Sequence, residues 1–192
     1  MTQLGFYLDM ERCIGCKTCQ IACKDVNDLE VGTLFRKVGH FETGQFPQTK
    51  AFNYSSSCNH CAEPQCVAVC PVGAMYKAED GTVQHDDEAC LGCQYCVMAC
   101  PYGVPQYLEE KGITAKCSAC ASLREADEQP ACVASCLMRC LDFGDLDELK
   151  QKYGTDTTAD FSIMPDSSIT TPSVAVRVKD AALSDDVRIC LL

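Results

Sequence analysis

The sequence predicts an α+β fold of two small modules, built from short strands, short helices and long loops and short of ordinary apolar core. Three observations carry that expectation. The apolar fraction of 47% is about 90 of the 192 residues, but 18 of these are cysteines, which leaves about 72 for conventional packing. Sixteen of the cysteines fall into four compact groups between Cys13 and Cys136. Between the groups, short β-branched and aromatic stretches alternate with turn residues, and no long periodic helix is visible.

Taken in chain order, Gln3 to Asp9 reads as a strand and leads into the first group, Cys13, Cys16, Cys19 and Cys23 in CIGCKTCQIACK. Lys50 to Ser56 is a second strand before Cys58, Cys61, Cys66 and Cys70, in CNHCAEPQCVAVCP. Gly73 to Gln84 reads as a hairpin turning at Asp80-Gly81. The third group, Cys90, Cys93, Cys96 and Cys100, repeats the CxxCxxCxxxC spacing of the first. The fourth, Cys117, Cys120, Cys132 and Cys136, widens its middle gap. Runs such as CQIACKDV and CVMACPYG suit one or two helical turns, which proline ends after Cys70 and Cys100. Asp145 to Tyr153 has the spacing of a capped helix, with Asp145 and Glu148 as a capping box and Gly154 as its stop. Residues 1–154 are thus expected to form one unit, and residues 155–192, rich in Ser, Thr, Asp and Pro, an extended tail that wraps a partner.

Composition narrows the chemistry. A core this thin calls for disulfides or metal. The start, MTQLGFYLDMERC, shows no basic segment followed by an apolar run, so no secretory signal is expected, and disulfides lose their usual compartment. No long uncharged apolar stretch suggests a membrane span. The formal charge of −11 argues against nucleic acid as a partner.

The spacing selects the metal. A [4Fe–4S] cluster needs four thiolates, three of which come from one CxxCxxC loop; in two-cluster ferredoxins the last cysteine of each run crosses to the other cluster. Four runs with sixteen cysteines therefore predict four [4Fe–4S] clusters on two ferredoxin-like modules. Structural zinc draws instead on separated CxxC pairs, and CxxCxxC fits that layout poorly. Cys140 reads as a packing thiol or an alternative fourth ligand of its group, and Cys190 as a free surface thiol. His60 lies between two cysteines of a group that already has four thiolates, so a supporting role is expected; His40 and His85 carry no motif. No phosphate-binding glycine loop, activated nucleophile or carboxylate pair stands out, so no catalytic residue and no direct small-molecule substrate are expected.

The segments CIGCKTCQIACKD, SCNHCAEPQCVAVCPVGAMYK, CLGCQYCVMACPYGVPQY, and KCSAC followed by CVASCLMRCLDFGDLDELKQKYG closely resemble the iron–sulfur electron-transfer subunits of dimethyl sulfoxide reductases, within the molybdopterin oxidoreductase family. The likeness runs from Gln3 to Gly154. It implies pairing of the first group with the fourth and the second with the third. One cluster would take Cys13, Cys16, Cys19 and Cys136, and its neighbour Cys117, Cys120, Cys132 and Cys23. The other pair would take Cys58, Cys61, Cys66 and Cys100, and Cys90, Cys93, Cys96 and Cys70.

The chain departs from the family at Leu137, where proline is usual, and at Cys140, commonly alanine. The resemblance further implies a relay between a quinol-linked membrane subunit and a molybdopterin catalytic subunit, on a chain attached to the membrane through its partners, on an undetermined side. Formate dehydrogenase, polysulfide or tetrathionate reductase complexes and a free-standing polyferredoxin are the alternatives. Lys17, Lys24, Lys77 and Lys116 are candidates for raising cluster potentials, with a solvated surface role as the competing reading.

Overall fold

The computed structural model describes residues 2–154 and 156–190. In chain order the elements are β1 (Leu4–Asp9), α1 (Thr18–Val26), β2 (Lys37–Thr43), β3 (Lys50–Ser56), α2 (Gln65–Ala68), β4 (Met75–Lys77), β5 (Val83–His85) and α3 (Tyr95–Ala99). They continue as β6 (Gln106–Leu108), β7 (Ile113–Ala115), α4 (Ala121–Glu125), α5 (Ala131–Ala134), β8 (Leu141–Asp145), α6 (Leu146–Tyr153), β9 (Thr157–Thr158), β10 (Val174–Arg177) and β11 (Arg188–Ile189). The mixture is α+β with short elements, as the composition requires.

The largest sheet runs β8-β1-β10-β9. Alternating side chains of β1 reach opposite faces: Phe6 and Leu8 enter the main core, while Tyr7 faces Leu149 of α6 and stacks on Tyr153 at 3.7 Å. Asp145 accepts the backbone N–H groups of Asp147 and Glu148 and so starts α6, and Gly154, at φ 100°, ends it. A second sheet, β11-β2-β3, and two hairpins, β4-β5 and β6-β7, complete the strands. The expected hairpin turns at Asp80-Gly81, where Asp80 accepts the N–H and hydroxyl of Thr82. Helix α1 packs on α5, and α2 on α3, so the first group of cysteines meets the fourth and the second meets the third.

The segment expected as a partner-wrapping tail is instead folded into the body of this chain, with Thr155, Leu191 and Leu192 lying outside the described residues. Strand β10 pairs in parallel with β1, Phe6 opposite Val174 and Asp9 opposite Arg177, and separates β1 from β9. Val176, Ala175 and Ala182 are buried, and β11 returns to pair with β2. The physical reason is the edge of β1. Without β10 a strand rich in apolar residues would present unpaired backbone groups to water. In the sequence the apolar run VAV is only three residues long, and the polar composition around it hides the signal.

One ion pair ties the hairpin β4-β5 to α4. Arg124 donates to Asp80 at 2.7 Å and lies over the Phe143 ring, 5.4 Å from its centroid. Burial opposes the Asp80 charge, but the bonds from Thr82 and Arg124 outweigh it and hold the carboxyl below its usual range.

Two outcomes follow. Truncation after Gly154 should give a chain that fails to accumulate in soluble form, whereas a tail that served only a partner would leave solubility intact. Asp80→Asn and Arg124→Gln should each lower stability by about 1 kcal/mol, an apparent melting midpoint about 2–4 °C lower, and the double variant should lose little more. Full additivity in the melting of the anaerobically purified chain would show that the pair is uncoupled.

Candidate metal centres

The backbone shows why these segments hold thiols. In the first group Gly15 and Lys17 adopt left-handed conformations, and in the third Gly92 and Gln94 repeat them. This curls each CxxCxxC stretch so that its three sulfurs face inward. Glycine is required at both places: a Cβ on Gly15 would meet the His40 ring at 2.5 Å, and one on Gly92 the Gly112 carbonyl oxygen at 2.2 Å. The second and fourth groups form a different pair of repeats. Each reaches its third cysteine through a proline that opens a helical turn, Pro64-Gln65-Cys66 and Pro130-Ala131-Cys132. The eleven-residue gap of the fourth group, in which spacing alone shows little, accommodates α4.

The structure brings the sixteen thiols together in four sets. Cys13, Cys16, Cys19 and Cys136 line one cavity, Cys58, Cys61, Cys66 and Cys100 a second, and Cys70, Cys90, Cys93 and Cys96 a third. Cys23 lies with Cys117, Cys132 and Cys120, where burial first and those neighbours second push its thiol up to about 12. Each set takes three sulfurs from one group and one from another. Cys23 falls into a different set from Cys19 because it sits one helical turn, about 6 Å, farther along α1.

This donor chemistry fits iron–sulfur clusters. Burial pushes Cys58 up to about 12 and Cys66 and Cys132 to about 11, so the bare thiols are neutral and poorly solvated, and metal must displace their protons. Among the described residues no three His, Cys, Asp or Glu side chains converge on a single ion's position. The thiols instead line cavities, each of which is enclosed by three cysteines of one loop and one distant cysteine. Two buried cations complete the fit. Lys116 lines the cavity of Cys58 and donates to the carbonyls of Val83 and of Cys117. Arg36, beside the thiols of Cys132, Cys117, Cys19 and Cys23, has a buried Nε without a partner.

The sets follow one another in a row. Cys19 and Cys23 share α1, Cys58 lies within electrostatic reach of Cys117, and Cys66 and Cys96 are likewise neighbours. Only the terminal sets contain an exposed member, Cys16 at one end and Cys93 at the other. Both ends carry exposed apolar side chains, Ile14, Leu137 and Met138 beside the first and Leu91, Tyr95 and Met98 at the last.

The remaining candidates separate clearly. Of the four lysines, only Lys116 is buried; Lys77 caps the carbonyls of Cys61 and Gly81, Lys24 those of Leu29 and Glu30, and Lys17 holds a left-handed turn. His60 is fully buried, and its Nδ1 accepts the Val83 N–H at 3.0 Å, which ties the Cys58–Cys61 loop to β5. Burial, with Lys116 and Arg124 nearby, lowers its pKa well below the ordinary value, so it is neutral. Cys140 places its sulfur 3.4 Å from that of Cys136 in the first cavity, and its hydrogen bond lowers the Cys13 thiol below its ordinary value. Cys190 is half-buried at the end of β11. Sequence reasoning missed Arg36 and the His40–Asn53 pair, through which Asn53 donates to the Cys13 carbonyl at 2.9 Å. Neither lies in a cysteine group, and no local pattern distinguishes them from ordinary strand residues.

Known proteins match this arrangement. A family model described as a 4Fe–4S dicluster domain matches residues 49–146, and a second of the same description matches residues 12–74. The chain is 46% identical to the B subunit of the anaerobic dimethyl sulfoxide reductase of Haemophilus influenzae, over 97% of this chain and 95% of the relative. It is 44% identical to the protein of the same name in Escherichia coli, over 92% and 89%. The thiosulfate reductase electron transfer subunit PhsB of Salmonella typhi is 42% identical, over 73% of this chain and 74% of its own length. With this identity spread over nearly its whole length, and with two 4Fe–4S dicluster models matched, the chain belongs to the iron–sulfur subunit family of the dimethyl sulfoxide reductases.

Proposed function

We propose that this chain relays electrons, one at a time, through four [4Fe–4S] clusters between a quinol-linked membrane subunit and a molybdopterin catalytic subunit. The ligand sets are Cys13, Cys16, Cys19 and Cys136; Cys23, Cys117, Cys120 and Cys132; Cys58, Cys61, Cys66 and Cys100; and Cys70, Cys90, Cys93 and Cys96. The observation that carries this reading is the row of thiol sets with exposed cysteines only at its two ends. A relay needs buried interior centres, protected from solvent and side reactions, and terminal centres near enough to the surface to exchange electrons with a docked donor and acceptor. The exposed apolar residues at both ends suit docking of two different proteins. Among the described residues no helix is long and apolar enough to cross a membrane, so attachment to one would run through the quinol-linked partner. The substrate would be bound elsewhere, on the molybdopterin subunit.

The test is to purify the native complex anaerobically through a tag on this chain and to assay iron with molybdenum and tungsten. About sixteen irons and one molybdenum or tungsten per chain are expected. Iron without either metal, in a stable particle lacking a large partner, would replace the relay subunit with a free-standing polyferredoxin. In the same complex Cys93→Ser should disturb one of four cluster signals in electron paramagnetic resonance and lower quinol-driven turnover at least tenfold, because centres in series have no bypass. Unaltered turnover would take the terminal set out of the path.

A further inference from the structure

Arg36 is the largest of the fully buried side chains, only 1% exposed. Its Nη1 donates to the carbonyl and the hydroxyl of Ser55, both at 3.1 Å, and its Nη2 to the Ser57 hydroxyl at 2.8 Å. The guanidinium lies over the Phe6 ring, 4.6 Å from its centroid, and Nε has no partner. Among the described residues no carboxylate forms an ion pair with it. Neutral hydroxyls and a ring do not offset a charge so completely removed from water, so an anion has to lie nearby. The groups within electrostatic reach are the thiols of Cys132, Cys117, Cys19 and Cys23, all drawn from the first and fourth cysteine groups.

Ser55 supplies a direct link. Its oxygen accepts from Arg36, which leaves its own hydrogen free for the Cys19 sulfur at 3.4 Å. The guanidinium polarises that hydroxyl, and a hydrogen bond to a cluster thiolate stabilises the more negative, reduced state. A fixed positive charge beside the second set acts in the same direction through space. Arginine suits the position because its fork holds two serines at once and its charge cannot be lost.

Resting on the relay reading, we propose that Arg36 is the fixed charge that raises the reduction potentials of the two clusters held by the first and fourth groups, acting on one through the Ser55 hydroxyl and on the other by its field. Arg36 is a positioning residue: it ligates no metal and touches no substrate. Its effect falls on this pair because the thiols within its reach, Cys132, Cys117, Cys19 and Cys23, all belong to the first and fourth groups.

The experiment is a potentiometric titration of the anaerobic complex followed by electron paramagnetic resonance, with iron assayed in every sample. The unaltered complex comes first: absence of clusters there would defeat the relay reading itself, before Arg36 is tested. With clusters present, Arg36→Gln should lower two of the four midpoints, each by at least a tenfold change in the oxidised-to-reduced ratio, about 59 mV for one electron. The other two should stay in place, and Arg36→Lys should restore much of the loss. Ser55→Ala, which keeps the charge, should lower the midpoint of the Cys19 cluster alone and would still decide the matter if Arg36→Gln failed to assemble. Unchanged midpoints in Arg36→Gln at normal iron content, an equal shift of all four, or Arg36→Lys no better than Arg36→Gln would each overturn the proposal. So would unchanged midpoints in Ser55→Ala, which would remove the hydroxyl route.

Discussion

The cysteines of the four groups are gathered into sets, buried or half-buried in the interior and exposed only at Cys16 and Cys93, and the rest of the fold is arranged around them. A thiol pressed into an apolar cavity resists ionisation, as the raised values of Cys23 and Cys58 show, so the loops that carry it are costly until metal replaces the proton. The chain meets the cost with short loops whose backbone curls through left-handed residues, and with helical turns that send one cysteine of each group into a neighbouring set. Ordinary packing has little left to contribute, because few apolar residues remain. The four-stranded sheet and its β10 strand then serve to close one side of the first module, and the small hairpins do the same for the second.

The division of labour between the modules explains the two kinds of buried cation. The first module lies under the large sheet, where Phe6 and the two serines can receive a broad planar guanidinium. The second is roofed by the hairpin β4-β5, where the backbone carbonyl of Val83 receives the compact ammonium of Lys116, which also donates to the carbonyl of its neighbour Cys117. Lys116 also stands at the junction. It follows β7 and precedes Cys117, so it joins the cavity of Cys58 to the set that contains Cys117.

The cysteine loops were legible in the sequence because their chemistry is written in local spacing: CxxCxxCxxxC admits few other readings. The strands at Leu4–Asp9 and Lys50–Ser56, the turn at Asp80-Gly81 and the Asp145 cap were legible for the same reason, each being a property of a few adjacent residues. What escaped is non-local. Val174–Arg177 looks like part of a polar tail until β1, about 170 residues away, offers it an edge, and Arg36 looks like half of a basic pair until β3 supplies Ser55. His60 was visible but its burial was not, since only the arrival of β5 removes it from water.

Cys140 shows how local chemistry and distant packing constrain each other. Cys140 is buried in the main core, where a packing thiol belongs, and its sulfur also lines the first cavity, 3.4 Å from that of Cys136. Arg139 adopts a left-handed conformation, at φ 51°, and the turn after Cys136 brings Cys140 back to the cavity lining. Strand β8 begins at the next residue, Leu141, so Cys140 is held from one side by the sheet and from the other by the cavity. Its backbone carbonyl accepts the Asp9 N–H at 2.9 Å, at the end of β1 and only four residues before Cys13. The first set is therefore clamped between two neighbouring strands of one sheet, and a change at either strand end would reach the sulfurs directly.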